Sequence, residues 1–308
     1  MGSNTSAETL LKNFCIKQSL PVHYHALATQ YFIPLADEIN TLATGKTTLL
    51  VGINGSQGSG KSTLAAFLEQ LLTKTYNRTV ANLSIDDFYH TKEYRQKLAL
   101  NKHPLFKTRG VPGTHDTELL KQTLFDLQQH QGVTAIPRFD KATDNRCPNS
   151  QWSQIKTPVD IILLEGWCIG VTAQDSNSLS KAVNMLEEKE DSEGHWRKEI
   201  NTLIDKEYRA LFSNIDHLIM LKAPDFQCVY QWRQKQEDKL RQSHNAQNNE
   251  SSTANIMNTT ELQRFIEHYQ RLTEHMLCYL PKQADVVFEL DYQHQIAKRI
   301  NNGNTSRS

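Results

Sequence analysis

The sequence predicts an α/β protein: a doubly wound, five-stranded parallel sheet flanked by helices. Three observations carry that expectation. Five apolar, β-branched runs recur along the chain, at 47–53 (TTLLVGI), 79–85 (TVANLSI), 159–165 (VDIILLE), 217–223 (HLIMLKA) and 285–290 (DVVFEL). Their lengths and compositions suit strands buried on both faces. Helical stretches separate them, and that alternation is the mark of a parallel sheet. The first run also leads through a glycine-rich turn directly into an amphipathic stretch, STLAAFLEQLLTKTY.

Residues 1–45 read as a helical extension packed on the core, with Leu10, Leu11 and Phe14, then Leu35, Ile39 and Leu42, at helical spacing. Pro21 and Pro34 are expected to break it into pieces. Residues 46–300 form the main domain. Within it VTAIPRF (133–139) is an edge or hairpin strand, because Pro137 cannot donate to a central ladder. Two stretches read as variable insertions. Residues 172–200 are polar, with EEKEDSE (187–193) expected as a solvated helix face or loop. Residues 242–258 carry almost no large apolar side chains and read as a mobile surface loop. Residues 301–308 are expected to be a disordered tail.

Composition narrows the function classes. The 308 residues include 34 Lys plus Arg and 34 Asp plus Glu, so no net field draws in nucleic acid or an anionic membrane. The five cysteines are scattered, with no CxxC pair, so neither a disulfide framework nor a zinc site is indicated. His23 and His25 lack the further ligands a metal would need. No apolar run approaches the ~20 residues of a membrane span, and no signal peptide is apparent. Met1 to Ser6 does fit the loose myristoylation pattern M-G-x-x-x-[ST], which is short enough to arise by chance. The reading is a cytoplasmic protein, monomer or weak homodimer, with no nucleic-acid or membrane partner.

The chemistry starts at Gly55-Ser56-Gln57-Gly58-Ser59-Gly60-Lys61-Ser62-Thr63, which fits G-x-x-x-x-G-K-[ST] without a mismatch. Glycines let the backbone wrap a phosphate, and the helix that follows adds the positive end of its dipole. Leu64, Phe67, Leu68, Leu71 and Leu72 share one face of that helix. Lys61 should reach the β and γ phosphates of ATP, and the Ser62 hydroxyl should coordinate Mg²⁺. The strand at 159–165 ends in Glu165, which either ligates the metal or orients its water; Gly166 after it would leave room for a ligand. Asp86 and Asp87 follow the second strand at the carboxyl edge where ligands bind in such sheets. Either they cap a helix, or one accepts a hydroxyl proton. Asp86 is the expected base.

The motifs GSQGSGKST, SIDDFYHT (84–91), RGVPGTHD (109–116), PRFDKATDNR (137–146), LLEGW (163–167) and WRQKQEDKLR (232–241) occur in this order. The set resembles the D-glycerate 3-kinase family with its fungal and bacterial kinase-like relatives. More distantly it is similar to the uridine kinase, phosphoribulokinase and pantothenate kinase group. The resemblance covers roughly residues 30 to 295. It implies a P-loop kinase fold with a helical lid, Mg-ATP as donor and a small alcohol or sugar acid, D-glycerate first, as acceptor. It implies that Asp86 takes the acceptor's proton and that Tyr89, Arg109, His115, Asp116, Asp140, Lys141 and Arg146 line the acceptor pocket. Asp116 equally suits the N-cap of the following helix. The charged 232–241 helix corresponds to the lid. Arg233 is the expected phosphate contact, against the alternative of a solvated helix with a Glu237–Arg241 pair.

Other nucleotide-using classes fit less well. A GTPase would need N-K-x-D, and Asn101-Lys102-His103-Pro104 has Pro where the Asp belongs. No LSGGQ-type signature marks a transport ATPase. A kinase for a nucleoside or a pantothenate-like alcohol, and an ATPase without an acceptor, are the alternatives.

Overall fold

The computed structural model describes residues 6–246 and 257–303, without side chains at 236 and 239–246. Among the described residues ten strands form: β1 (Leu49–Gly55), β2 (Val80–Ser84), β3 (Gly132–Ile136), β4 (Phe139–Asp140), β5 (Asn145–Arg146), β6 (Ser153–Thr157), β7 (Ile161–Gly166), β8 (His217–Lys222), β9 (Val286–Leu290) and β10 (Ile296–Asn301). Six make the central sheet, in the order β10-β9-β8-β1-β7-β2. The five strands expected from sequence are its parallel part. The structure adds β10, antiparallel on the β9 edge. Its sequence, IAKRIN, alternates too weakly to announce a strand, because this edge strand leaves most of its residues exposed or half-buried.

Helices cover both faces, so β1 and β7 are buried at every position. One face is closed by the Lys61–Thr75 helix, whose Leu64, Phe67, Leu68, Leu71 and Leu72 are all buried. The N-terminal helices pack outside it, with Phe14 against Phe67 at 5.2 Å. Pro21 precedes the His23–Leu27 helix and does interrupt the extension. Pro34 does not. It lies in the first turn of the Ile33–Ala43 helix, where a missing N–H costs nothing. The other face is closed by helices Thr117–Gln129 and Thr259–Tyr279, among others, with Leu120, Leu127, Leu272 and Met276 in its core.

β3 pairs with β6 outside the main sheet, and Pro137 falls between β3 and β4, beyond the ladder. The EEKEDSE run is exposed, as expected, at Glu188, Lys189, Glu190, Ser192 and Glu193, and two exceptions correct the expectation of a wholly solvated segment. Glu187 and Asp191 are buried, and they pair with Arg271 (2.6 Å) and Arg197 (3.0 Å). The first of these pairs joins the stretch to the Thr259–Tyr279 helix, and the second closes within the stretch. The helix starting at Phe226 runs on to Ala246, and Asn258 caps the next one through a capping box. The expected loop thus narrows to residues that lie outside the described ones, as do the start of the myristoylation pattern and positions 304–308. The five cysteines are free thiols. Among the described residues, no helix is long and apolar enough to cross a membrane.

Candidate active site

The register sets the site. β7 lies between β1 and β2, with Ile53 opposite Glu165 and Ser84 opposite Glu165. The glycine-rich loop after β1, Glu165 at the end of β7 and Asp86 just after β2 therefore emerge side by side. Two strand spacings, roughly 10 Å, separate the first from the last.

In the loop, Gly60 caps the Lys61–Thr75 helix in left-handed conformation. The hydroxyls of Ser56 and Ser59 and the side-chain oxygen of Gln57 are buried without hydrogen-bond partners among the described residues. Buried polar groups of this kind call for a ligand. Ser62 Oγ donates to Glu165 Oε1 at 2.8 Å, and Lys61 Nζ stands 4.0 Å from Glu165 Oε2. That second oxygen is buried with no hydrogen bond among the described residues. A hydroxyl and an unsatisfied carboxylate oxygen are the hard donors Mg²⁺ takes alongside phosphate and water, so the residues fit that ion. With Asp87 and Arg138 they border a cavity of about 200 Å³. Gly166 has a different use from the one expected. A Cβ there would meet Ile85 at 2.4 Å, so the glycine serves close packing of the β2 turn and not a ligand.

Asp86 and Asp87 point to different neighbours. Asp87 accepts from Arg138 Nη1 at 2.8 Å and from the Phe139 amide at 3.1 Å, and burial raises its pKa. Arg138 and the Phe139 amide together hold it. Asp86 faces the other way, accepting from Lys141 Nζ at 2.7 Å and from the Tyr89 hydroxyl at 2.9 Å. Burial pushes the Asp86 carboxyl up, but the cations of Lys141 and Lys61 outweigh it and hold the pKa at about 2.

A cleft of about 390 Å³ opens here, between the glycine-rich loop and Asp86, Tyr89, Arg109, Lys141 and Arg233. Every one of its predicted cations already has an anionic partner: Arg109 pairs with Asp144, Lys141 with Asp86, and Arg233 with Glu237. Arg233 and Glu237 pair along one helix; the Arg241 side chain, and with it the alternative Glu237–Arg241 pair, lies outside the described residues.

Four of the predicted acceptor residues do not line the cleft. Asp116 is the N-cap of the Thr117–Gln129 helix, accepting from Leu119 N at 3.1 Å. Arg146 is held beneath by Asp116 (3.0 Å) and the Tyr89 carbonyl (3.1 Å). Asp140 accepts from Ala142 N and Thr143 Oγ1 and shapes its own turn. His115 is buried, stacked on Tyr89 at 4.6 Å and bonded through Nδ1 to the Tyr208 hydroxyl at 2.8 Å. Burial lowers its pKa to about 3, against the pull of Asp86.

Two aromatic residues close the cleft unannounced by any motif: Phe265 and Tyr269, one turn apart on the Thr259–Tyr279 helix. Trp167 of LLEGW meets Tyr269 edge-on at 4.9 Å and donates from Nε1 to the Gly110 carbonyl at 3.0 Å. Gly110, at φ 141°, lets this happen, since a Cβ would fall 2.0 Å from the Tyr269 hydroxyl. The i, i+4 spacing of Phe265 and Tyr269 was visible in sequence, but it signals only an apolar face.

The phosphoribulokinase/uridine kinase family profile matches residues 50–186. An uncharacterized kinase of Schizosaccharomyces pombe is 33% identical over 228 residues, spanning 71% of this chain and 78% of that protein. The chloroplastic D-glycerate 3-kinase of Arabidopsis thaliana is 31% identical over 208 residues, 64% of this chain but 43% of its own length. Among solved structures, the D-glycerate 3-kinase of Cryptococcus neoformans superposes with a TM-score of 0.67 at 24% identity, covering 89% of this chain and 97% of that one. That likeness shows the shared fold.

Proposed function

The chain belongs to the phosphoribulokinase/uridine kinase family and is an ATP-dependent phosphotransferase, and we propose that its acceptor is a small hydroxy acid, D-glycerate first. The observation that carries this reading is the grouping of Arg109 and Lys141 with Asp86 in one cleft beside the glycine-rich loop. A neutral acceptor has little use for two cations there, whereas a carboxylate can be clamped by them. The D-glycerate 3-kinase names among the relatives point the same way.

In this reading the acceptor carboxylate draws Lys141 away from Asp86 and lies against Arg109. Losing Lys141 makes Asp86 more basic at the moment a hydroxyl arrives. The hydroxyl proton passes to Asp86, its oxygen bonds to the γ-phosphorus, and the bond to the β–γ bridging oxygen breaks to release ADP. The far hydroxyl, the primary one in glycerate, is the one such a clamp turns toward Asp86. Lys61 and Arg233 offset the charge on the transferring group. Ser62 and Glu165 would hold Mg²⁺, which supplies charge neutralisation at the phosphate oxygens.

Phe265 and Tyr269 are the observation that favours a second reading, an acceptor with a flat face such as a nucleoside. An ATP-consumption screen over sugar acids, nucleosides and vitamins separates the two. Turnover confined to hydroxy acids is expected; turnover confined to nucleosides would discard the hydroxy-acid reading and leave the kinase intact.

A further inference from the structure

Arg95, on the Lys92–Asn101 helix, belongs to no motif of the cleft, yet it is only 1% exposed. Three backbone carbonyls hold its guanidinium. His90 accepts from Nε at 3.2 Å, Lys107 from Nη1 at 3.1 Å and Asp144 from Nη2 at 2.8 Å. Carbonyls satisfy donors but do not cancel a buried charge. That falls to the Asp144 carboxylate, whose Oδ2 lies 2.9 Å from Arg95 Nη2. The other oxygen, Oδ1, accepts from Arg109 Nη1. Asp144, in left-handed conformation at φ 55°, thus stands between two guanidiniums. Both also lie near the Phe139 ring, 5.9 and 5.7 Å from its centroid.

The charge balance of the cleft follows from its ion pairs. Among the described residues, Lys61 faces Glu165, Lys141 faces Asp86 and Arg233 faces Glu237, one cation to one anion. At Arg109, by contrast, two arginines share one carboxylate, which leaves one positive charge over.

We propose that Arg95 is a positioning residue for acceptor specificity. By taking one oxygen of Asp144 it keeps that carboxylate from neutralising Arg109. The net positive end of the cleft, where an acceptor's carboxylate docks first, is therefore set by a side chain too buried to touch the acceptor. The inference rests on the hydroxy-acid reading above.

Steady-state kinetics of the full chain with Mg-ATP, comparing D-glycerate and glycerol, tests it. Arg95→Gln removes the surplus charge and should raise KM for D-glycerate about fivefold or more, with its kcat and the glycerol kinetics unchanged. Adding Asp144→Asn restores the net charge at Arg109 and should return KM towards the wild-type value. Asp144→Asn alone leaves every carbonyl partner of Arg95 in place and adds a charge, so KM should fall; this variant tests the idea even if Arg95→Gln does not fold. Both shifts should shrink with added salt, which a purely structural role would not predict. An unchanged KM in folded Arg95→Gln, no recovery in the double variant, equal losses for both acceptors, or a KM that fails to fall in Asp144→Asn overturns the proposal. Wild-type protein that uses D-glycerate no better than glycerol would instead overturn the hydroxy-acid reading, and this inference with it.

Discussion

Lys141 Nζ and Asp86 Oδ2 are 2.7 Å apart at the mouth of the cleft, and the Tyr89 hydroxyl takes the other oxygen of the same carboxylate at 2.9 Å. The resting carboxylate is therefore occupied on both sides and stays ionised down to about pH 2. Asp86→Asn keeps the shape and removes proton acceptance, so kcat should fall by about 10²-fold or more with ATP affinity little changed. Asp87→Asn should chiefly loosen the Arg138 contact and lower Tm. If Asp87→Asn proves the crippled enzyme, the roles within the pair are reversed.

Lys61→Ala should abolish phosphoryl transfer while the protein stays folded, because the side chain lies at the loop and contributes a cation, not core packing. Steady-state turnover and a thermal melt on the same preparation check this. Turnover at the wild-type rate would take the loop out of the mechanism.

The Arg271–Glu187 pair joins the 172–200 stretch to the helix that carries Phe265 and Tyr269, with two contacts at 2.7 and 2.6 Å. Glu187→Ala leaves Arg271 buried and unpaired, which should cost about 3–5 kcal/mol in denaturant unfolding. A loss below about 1 kcal/mol would mean the pair does not brace that helix.

Stability should decline as pH falls below about 6.5. Burial holds the pKa of His115 at about 3 and those of His90 and His268 at about 4. In the unfolded chain these imidazoles protonate near about 6.5, so between that pH and about 4 the unfolded state binds more protons and gains ground. The lowered pKa of Asp86 adds loss in the same direction at still lower pH. A melting temperature that stays level from pH 7 to pH 5 would show that these rings are not buried neutral.

How far the sequence reached follows from where the chemistry is local. The glycine-rich loop, Glu165 and Asp86 were legible because each depends on a strand end and a short motif. The parallel strands were legible because burial on both faces demands continuous apolar runs, and β10 was not because an edge strand makes no such demand. Phe265 and Tyr269 escaped because their helix follows the 242–258 stretch and meets the cleft only through tertiary packing on Trp167. Arg146, Asp140 and Asp116 were assigned to the pocket by motif, yet their hydrogen bonds are spent on turns and caps around it. Glu187 and Asp191 misled for the opposite reason, since a charged run looks solvated until its partners, far away in sequence for Arg271, are known.

The central claim is that a carboxylate-bearing alcohol is the acceptor, and comparison of D-glycerate, glycerol and uridine under one set of conditions with Mg-ATP tests it most directly. D-glycerate should be phosphorylated with a kcat/KM far above that of glycerol, which lacks the carboxylate. Arg109→Ala with Lys141→Ala should erase most of that difference by raising KM for D-glycerate. Uridine outrunning D-glycerate, or glycerol matching it, would contradict the account.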